Sequence, residues 1–422
     1  MHNMPVAIAS FASTLSVSHR WRSRASFERW QQHRLHAWLQ QHLHTVRFYR
    51  DLPRQLDALP VTDKAMLMSA FEDFNQAGIT AAEAWKAVDA GDMCKGYNVG
   101  ASTGTSGNQG LFVISDTERF VWLGVILAKA LPEFLWRRQR VAIILPRNTS
   151  LYNSALQTGR IDLKFFDVGL GPENWTDELE EFSPTCIVAP PKILRYLAEQ
   201  KTSLRPAKLF SAAETLDSND RTIIETFFSV RLGQIYMATE GLLGVSCRHG
   251  RLHLAEDAVA FELEPVGDGL VTPLITSFRR TTQIMARYRM NDLLRLSQQP
   301  CSCGSPLTAV DEVVGRMDDA FRLAAAGQRI IVTPDVLRDT VLKSDRRIDD
   351  FRIVQTGPQA VELLLPPDLP DDAAETALSA TRDLFLKRRT VVDTRLVRTS
   401  LPLETGRKLR RVQCRIARQN TP

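Results

Sequence analysis

Between two apolar segments the chain reads GASTGTSGNQG from Gly100 to Gly110, four glycines interleaved with hydroxyl side chains. Glycine lets consecutive amides turn toward one point, and Ser102, Thr103, Thr105 and Ser106, set around Gly104 and Gly107, add hydroxyl donors. That chemistry suits an anion such as a phosphate, although composition alone fits a flexible surface turn equally well. The segment lacks the Gly-Lys-Ser/Thr ending of a P-loop and is not a dinucleotide fingerprint. A second cluster is built on sulfur. Cys301 and Cys303 form a Cys-x-Cys turn in QQPCSCGSP, and Cys247 lies in VSCRHGRLHL with His249 and His253. Three thiolates and one imidazole complete a tetrahedral structural Zn²⁺ site, with His253 or His249 as the fourth ligand; a pair of reduced thiols in a turn is the alternative. Cys94, Cys186 and Cys414 stand apart. His33, His36, His42 and His44 lie along one helical segment with no acidic or cysteine partners, so no metal is expected there.

These groups need a frame to hold them. Residues 26–50 place Phe27, Trp30, Leu35, Trp38, Leu39, Leu43 and Val46 near one stripe at helical spacing, which predicts a helix packed on the body. Short apolar runs then alternate with helix-like stretches: Val141 to Leu145, Phe165 to Val168, Cys186 to Ala189, Lys208 to Ser211 and Gln234 to Met237. Such alternation predicts α/β layers, and runs ending in small or polar residues (ILPRN, VAPPK, FSAAET, YMATEG) predict a ligand beyond the strands' carboxyl ends. From about residue 243 short alternating stretches with turns predict a β-rich subdomain. Beyond Gly315, the strand-like IIVT, FRIVQ and AVELLLP flank two helical candidates. PPDLPDDAAE reads as a helix entry with acids at its positive end. There is no internal repeat.

A chain of 422 residues with 44% hydrophobic content can bury a large core in two or three units. Six cysteines at this length make no disulfide framework, no leader peptide is evident, and no apolar run reaches membrane-spanning length, so a cytoplasmic location without a membrane span is expected. The formal charge of +5 gathers largely in the first 50 and last 35 residues. It suits nucleotide phosphates or a phosphorylated carrier, and without interleaved aromatics or a groove-reading motif no nucleic-acid partner is expected. A homodimer is compatible with this composition.

The glycine-rich segment resembles the phosphate loop of the adenylate-forming superfamily, which includes acyl-CoA synthetases, peptide-synthetase adenylation domains and luciferases. Four further segments resemble that superfamily in the same order. SAAET at 211–215 looks like the adenine-side loop, and YMATEG at 236–241 like the aromatic-x-x-Thr-Glu motif. RYRMNDL at 287–293 with GRMDD at 315–319 looks like the ribose-binding Asp and the hinge, and LPLETGRKLRR at 401–411 like the loop of the catalytic lysine. VRFYRDL at 46–52 and LPVTDKAML at 59–67 are similar to the phenylacetate-CoA-ligase branch.

The resemblance implies an AMP-binding domain over 1–315, with layered α/β subdomains and the β-rich subdomain at about 243–310. A small, mobile α+β C-terminal domain over 316–422 would follow. It implies ATP-dependent, Mg²⁺-assisted activation of a small, aromatic carboxylic acid to an acyl-adenylate with release of pyrophosphate. Transfer to a thiol follows, either that of CoA or the phosphopantetheine of an acyl or aryl carrier protein. Glu240 would hold Mg²⁺ and Thr239 would bond the α-phosphate. Ala213, Glu214 and Tyr236 would border the nucleotide, Asp292 would accept the ribose hydroxyls, and Arg316 would lie near the same nucleotide. Lys408 would stabilise charge building at the phosphorus, and Asp318 would be the hinge. The acyl pocket would lie among Ala189, Pro190, Ala212, Met237 and Ala238. Some members of the branch carry a Cys/His zinc site in this subdomain. The chain departs from the pattern at Ala324-Ala325-Ala326, where a glycine lining the pantetheine tunnel is usual, and at Glu404. Both leave the acceptor open. A non-catalytic nucleotide- or ligand-binding protein on the same fold is the alternative from another class.

Overall fold

Runs such as VAIIL at 141–145 and CIVA at 186–189 carry apolar side chains at successive positions, which suits strands covered on both faces. The computed structural model describes residues 3–20, 23–102, 109–146, 159–325, 328–401 and 409–416. These form two compact units. The larger reaches Met290 and includes 295–312, and the smaller comprises 291–294 and the described residues from Val313 onward.

In the larger unit, β1 (Asn98–Ala101) and β2 (Leu111–Ile114) pair antiparallel and close the base of the glycine-rich segment. The next strands are β3 (Gln139–Leu145), β4 (Ile161–Asp167), β5 (Cys186–Ala189), β6 (Lys208–Ala212) and β7 (Leu232–Ala238), all parallel, in the order β4-β3-β5-β6-β7. Pleating sorts their side chains. Val141, Ile143 and Leu145 enter one core with Phe120, Leu123 and Leu127, whereas Ala142 and Ile144 enter another with Ile193, Leu197 and Ile224. Beyond β7 the sheet turns antiparallel through β8 (Gly241–Ser246) and β9 (Leu252–Leu254), and then the hairpin β10 (Ala260–Gly267) and β11 (Leu270–Thr276), with β12 (Tyr288–Arg289) beside β11. The β-rich stretch therefore continues the parallel sheet from β7 rather than standing apart. The chain crosses between the two units along β13 (Asp292–Leu296) and β14 (Ala309–Arg316).

Two helices cover the first core. Asp116–Ala130 starts from a capping box in which Ser115 and Glu118 exchange bonds with each other's backbone amides. Met4–Arg20 lies against it, and Gly124 is what permits the approach: a Cβ there would stand 2.3 Å from the Ala7 carbonyl oxygen and 2.7 Å from Ser10 Cβ. The helix predicted over 26–50 spans Arg24–His42 and then breaks into short 3-10 turns at Leu43–Thr45 and Arg47–Tyr49. Tertiary anchors set that break. The buried Tyr49 hydroxyl donates to the Ala286 carbonyl at 3.1 Å, and Phe48 stacks on Phe74 with centroids 4.2 Å apart.

The smaller unit has a hairpin of β15 (Phe321–Ala325) and β16 (Gln328–Val332). A separate four-stranded mixed sheet is built from β17 (Arg352–Gly357), β18 (Ala360–Leu365), β19 (Asp393–Arg398) and β20 (Val412–Cys414), in the order β19-β18-β17-β20. Helices Pro334–Ser344 and Asp371–Lys387 pack over one core with Phe321, Phe351 and Phe385. As the sequence implies, the second helix opens with acids, Asp371 and Asp372. Among the described residues no helix is long and apolar enough to cross a membrane.

Candidate active site

At the carboxyl ends of β3, β6 and β7 the larger unit holds a cavity of about 240 Å³. Leu145 and Pro146, Ala212 and Ala213, and Met237 and Ala238 supply its wall from these strand ends, and Ser102, Thr239 and Glu240 supply polar groups. Thr239 and Glu240 are the two residues of the turn between β7 and β8, where Ala238 pairs with Gly241. The turn ends on Gly241 at φ +134°, a conformation open in practice only to glycine. Ala213 also takes a left-handed φ, +68°, at the end of β6, a strained backbone placed at the cavity wall.

Ser102 clamps the base of the glycine-rich segment. Its amide donates to the Gly110 carbonyl at 2.8 Å, and its hydroxyl oxygen accepts from the Gly110 amide at 2.8 Å. A Cβ on Gly110 would lie 3.6 Å from Lys64 Nζ and 3.8 Å from Thr239 Cγ2, so the Lys64 ammonium stands beside both the loop base and the Thr-Glu turn. Thr103, Gly104, Thr105, Ser106 and Gly107 lie outside the described residues, as does Lys408.

Several groups at the cavity were not singled out from the sequence: Glu118, Trp122, Ser277, Arg279 and Arg280. Glu118 is buried and accepts four hydrogen bonds. Ser115 gives its amide and hydroxyl to one oxygen at 2.8 and 3.0 Å, and the Thr281 and Thr282 amides bond the other at 2.6 and 2.9 Å. Burial pushes this carboxyl up, but the Arg280 guanidinium and the bonds from Thr282 and Ser115 outweigh it and hold the carboxyl below its ordinary value. Arg280 donates to the Glu240 carbonyl at 3.1 Å and to that of Val113 at 3.4 Å, tying the Thr-Glu turn to β2. Burial lowers the Arg280 pKa, opposed by the charges of Glu118 and Glu240. The signal that could have marked Glu118 in the sequence is the Ser-x-x-Glu spacing from Ser115, and it announces a helix start rather than a site.

Four expected residues lie elsewhere. Ala189 is buried in the core on the far face of β5, with Ala142 and Ile144, and Pro190 is the buried cap of the helix Pro191–Glu199, so neither borders the cavity. Tyr236 precedes Met237 on β7, and pleating turns it onto the core containing Phe74 and Ile284 instead. Glu214 folds back into a buried ion pair with Lys192 at 3.1 Å. In the smaller unit, Asp292 is half-buried at the start of β13 and Arg316 is exposed at the end of β14. Asp318 accepts a hydrogen bond from Asn291, and the neighbouring Asp319, pushed up by burial, pairs with Arg410.

The cysteine cluster assembles as the spacing suggests. The ligand atoms of Cys247, His253, Cys301 and Cys303 all lie within 4.8 Å of one another. Cys247 and Cys301 sulfurs are 3.7 Å apart, and Cys303 Sγ is 3.4 Å from His253 Nε2. Two thiolates each about 2.3 Å from a tetrahedral Zn²⁺ stand about 3.8 Å apart, so the spacing fits the ion. His253 Nδ1 bonds the Leu307 carbonyl at 2.9 Å, which turns Nε2 toward the sulfurs and selects His253 over His249. Burial, reinforced by the Cys301 and Cys247 thiols, pushes Cys303 up to about 12, a cost that a bound cation reverses.

No family model matches the chain. A stretch of 140 residues is 25% identical to Protein CapK of Staphylococcus aureus, covering 32% of this chain and 31% of that protein, so the match spans about a third of that relative's length. Among solved structures, 2-hydroxyisobutyryl-CoA ligase in its postadenylation state, in complex with R3-HIB-AMP, superposes with a TM-score of 0.69 at 16% identity, covering 92% of this chain and 90% of that one. The anthranilate CoA ligase AuaEII in complex with anthranoyl-AMP superposes at 0.51 and 14% identity, covering 73% and 64%. The chain has the fold of these CoA ligases, a large mixed α/β unit joined to a smaller α+β unit.

Proposed function

We propose that the chain is an AMP-forming acid-thiol ligase of the adenylate-forming superfamily, converting a small carboxylic acid and ATP to an acyl-adenylate and pyrophosphate. The acyl group then passes to a thiol, that of CoA. The observation that carries this reading is the convergence on one cavity of the Ser102 clamp and the Thr239-Glu240 turn. Support comes from the fold shared with structures that carry acyl-adenylates, and from sequence motifs in the matching order.

The residues fit ATP and Mg²⁺. A hard cation takes carboxylate oxygen and keeps several waters, which Glu240 provides at a half-buried turn. Thr239 bonds the α-phosphate, and Lys64 adds an ammonium beside the loop base. Asp292 takes the ribose hydroxyls, Arg316 accompanies the nucleotide, and Asp318 serves as the hinge. The acid's carboxylate is already the nucleophile, so no general base is needed. It attacks the α-phosphorus, the bond to the bridging oxygen breaks, and pyrophosphate leaves. Lys408 meets the negative charge that gathers on the phosphoryl and carboxyl oxygens. Cys247, His253, Cys301 and Cys303 would hold a structural Zn²⁺, which would tie the turn after β8 to the segment before β14. The largely apolar wall, with Trp122 and Phe112, favours an aromatic acid in the manner of the phenylacetate-CoA-ligase branch. A carrier-protein thiol in place of CoA is the second reading, favoured by the crowding of Arg and Lys from 387 to 418.

Pyrophosphate release, measured over a panel of acids with and without CoA, tests the reading. One equivalent without CoA, turning over once CoA is added, is expected. A burst that CoA does not turn over favours the carrier protein, and absence of release with every acid refutes the proposal. Lys408→Ala should lower the burst rate by about a hundredfold or more while sparing ATP binding.

A further inference from the structure

Two elements at the rim of the cavity have little support of their own. Among the described residues β1 and β2 form a two-stranded sheet, so no third strand covers the outer edge of β2. The Thr239-Glu240 turn follows a shift of register between Tyr236 and Met237, and it ends on Gly241, where a Cβ would meet nothing within 4 Å beyond its chain neighbours. A turn past an irregular pairing, with no packing at its last residue, shifts easily and carries its side chains with it.

Residues 280–283 support both elements at once. Val113, the third residue of β2, gives its amide to the Gln283 side-chain oxygen at 3.0 Å and accepts an Arg280 N–H at its carbonyl at 3.4 Å. Two side chains thus stand where a third strand would pair. The other terminal nitrogen of the same guanidinium donates to the Glu240 carbonyl at 3.1 Å. A guanidinium is a rigid planar fork, so its two ends set the separation of the two carbonyls they hold. The fork is aimed by an anchored backbone. The Arg280 amide donates to the Ser277 carbonyl at 3.1 Å, its carbonyl accepts the Trp38 indole N–H at 2.7 Å, and the Thr281 and Thr282 amides bond the buried Glu118 carboxylate at 2.6 and 2.9 Å. Arg280 takes the backbone of Glu240 rather than its carboxylate, which leaves the carboxylate to a cation.

We infer that Arg280 is a positioning residue for the Mg²⁺ step: it fixes the Thr-Glu turn against β2, so that Glu240 and Thr239 meet the metal and the phosphate already in place. This rests on reading Glu240 as the Mg²⁺ ligand. Without the fork the metal itself must order the turn, and its apparent affinity falls by the cost of that ordering. The acid, enclosed by the apolar wall, is spared. Lysine keeps the charge beside Glu118, but its single nitrogen cannot stand at both of the places that the two ends of the guanidinium occupy.

Pyrophosphate release by the full chain, at saturating ATP and acid, is titrated with free Mg²⁺. Arg280→Lys should raise the half-saturating concentration about tenfold and Arg280→Met about a hundredfold, the loss of one and of both hydrogen bonds from a charged donor, while KM for the acid changes less than about twofold. Melting midpoints separate this from a folding effect, since Arg280→Lys should melt close to the wild type. A lower midpoint with unchanged Mg²⁺ half-saturation, or a KM for the acid that rises as far as the Mg²⁺ requirement, makes Arg280 merely structural and overturns the inference. If Arg280→Met does not fold, Arg280→Lys decides alone. Should the wild type release no pyrophosphate with any acid, adenylation fails, and binding of Mn²⁺ with ATP, followed by electron paramagnetic resonance, tests the clamp by itself. A Kd about tenfold weaker in Arg280→Lys then supports it, and an equal Kd, or no binding by the wild type, overturns it.

Discussion

Glu118→Gln isolates the electrostatic strut beneath the Thr-Glu turn. The substitution keeps the shape but turns one acceptor oxygen into a donating NH₂. The remaining oxygen can keep the Thr281 and Thr282 amides at 2.6 and 2.9 Å, but the amide nitrogen then faces the Ser115 N–H that now donates at 2.8 Å. The Ser115 amide is left without an acceptor, whereas the Ser115 hydroxyl can reverse and accept from the new NH₂, so a destabilisation of about 2 kcal/mol is expected before counting the field on Arg280. At roughly 2–4 °C per kcal/mol for a unit of this size, the melting midpoint falls by about 4–8 °C. The pH dependence has a definite sign. Because the folded carboxyl is held below its ordinary value, its contribution is fully present above about pH 4.3 and is lost as pH falls through the lower folded value. Wild type and variant should therefore differ most at neutral pH and converge in acid. Urea unfolding followed by tryptophan emission at several pH values measures this. A loss below about 1 kcal/mol at pH 7, or a gap that widens in acid, would refute the reasoning.

Gly124→Val should cost at least about 3 kcal/mol, because its Cβ would overlap the Ala7 carbonyl and only separation of the two helices relieves it; an unchanged midpoint would show the helices already apart. Metal analysis of the purified chain should give one Zn²⁺, and Cys303→Ser should lose it together with several degrees of melting temperature, checked by a chelator titration of the wild type. Ser229, the left-handed cap of the helix Ser218–Phe228 at φ +54°, should gain about 0.5–1 kcal/mol as Ser229→Gly, read from the urea midpoint.

The parallel strands were legible because their apolar runs are short, uninterrupted and followed by small or polar residues; the run at Cys186–Ala189 matches β5 at both ends. The helix Met4–Arg20 was not, since what makes it dock is Gly124, far along the chain and marked by nothing local. The same limit applies at the site. Thr239 and Glu240 fall in one recognisable hexapeptide, but Glu118 meets Thr281 across 163 positions, and no spacing in either segment announces the other. Tyr236 and Ala189 show a different limit: a strand end in the sequence does not tell which side chains border the cavity, because pleating sends alternate ones to opposite cores. His253 could be chosen over His249 only once the Leu307 carbonyl was seen to hold its other nitrogen.

The position of the cavity follows from strand direction more than from any motif. β3, β6 and β7 run parallel, so their carboxyl ends open on the same edge, and antiparallel β8 returns from that edge through the Thr-Glu turn. Whatever reacts there meets backbone and short side chains from the strand ends. The long charged side chains come instead from the segment after β11 and from the helix after β2. The turn and the loop base are thereby tied to the backbone of the sheet, so the polar groups at the rim of the cavity are placed by strand pairing, and the bond from Arg280 to the Glu240 carbonyl holds the same turn from the segment after β11.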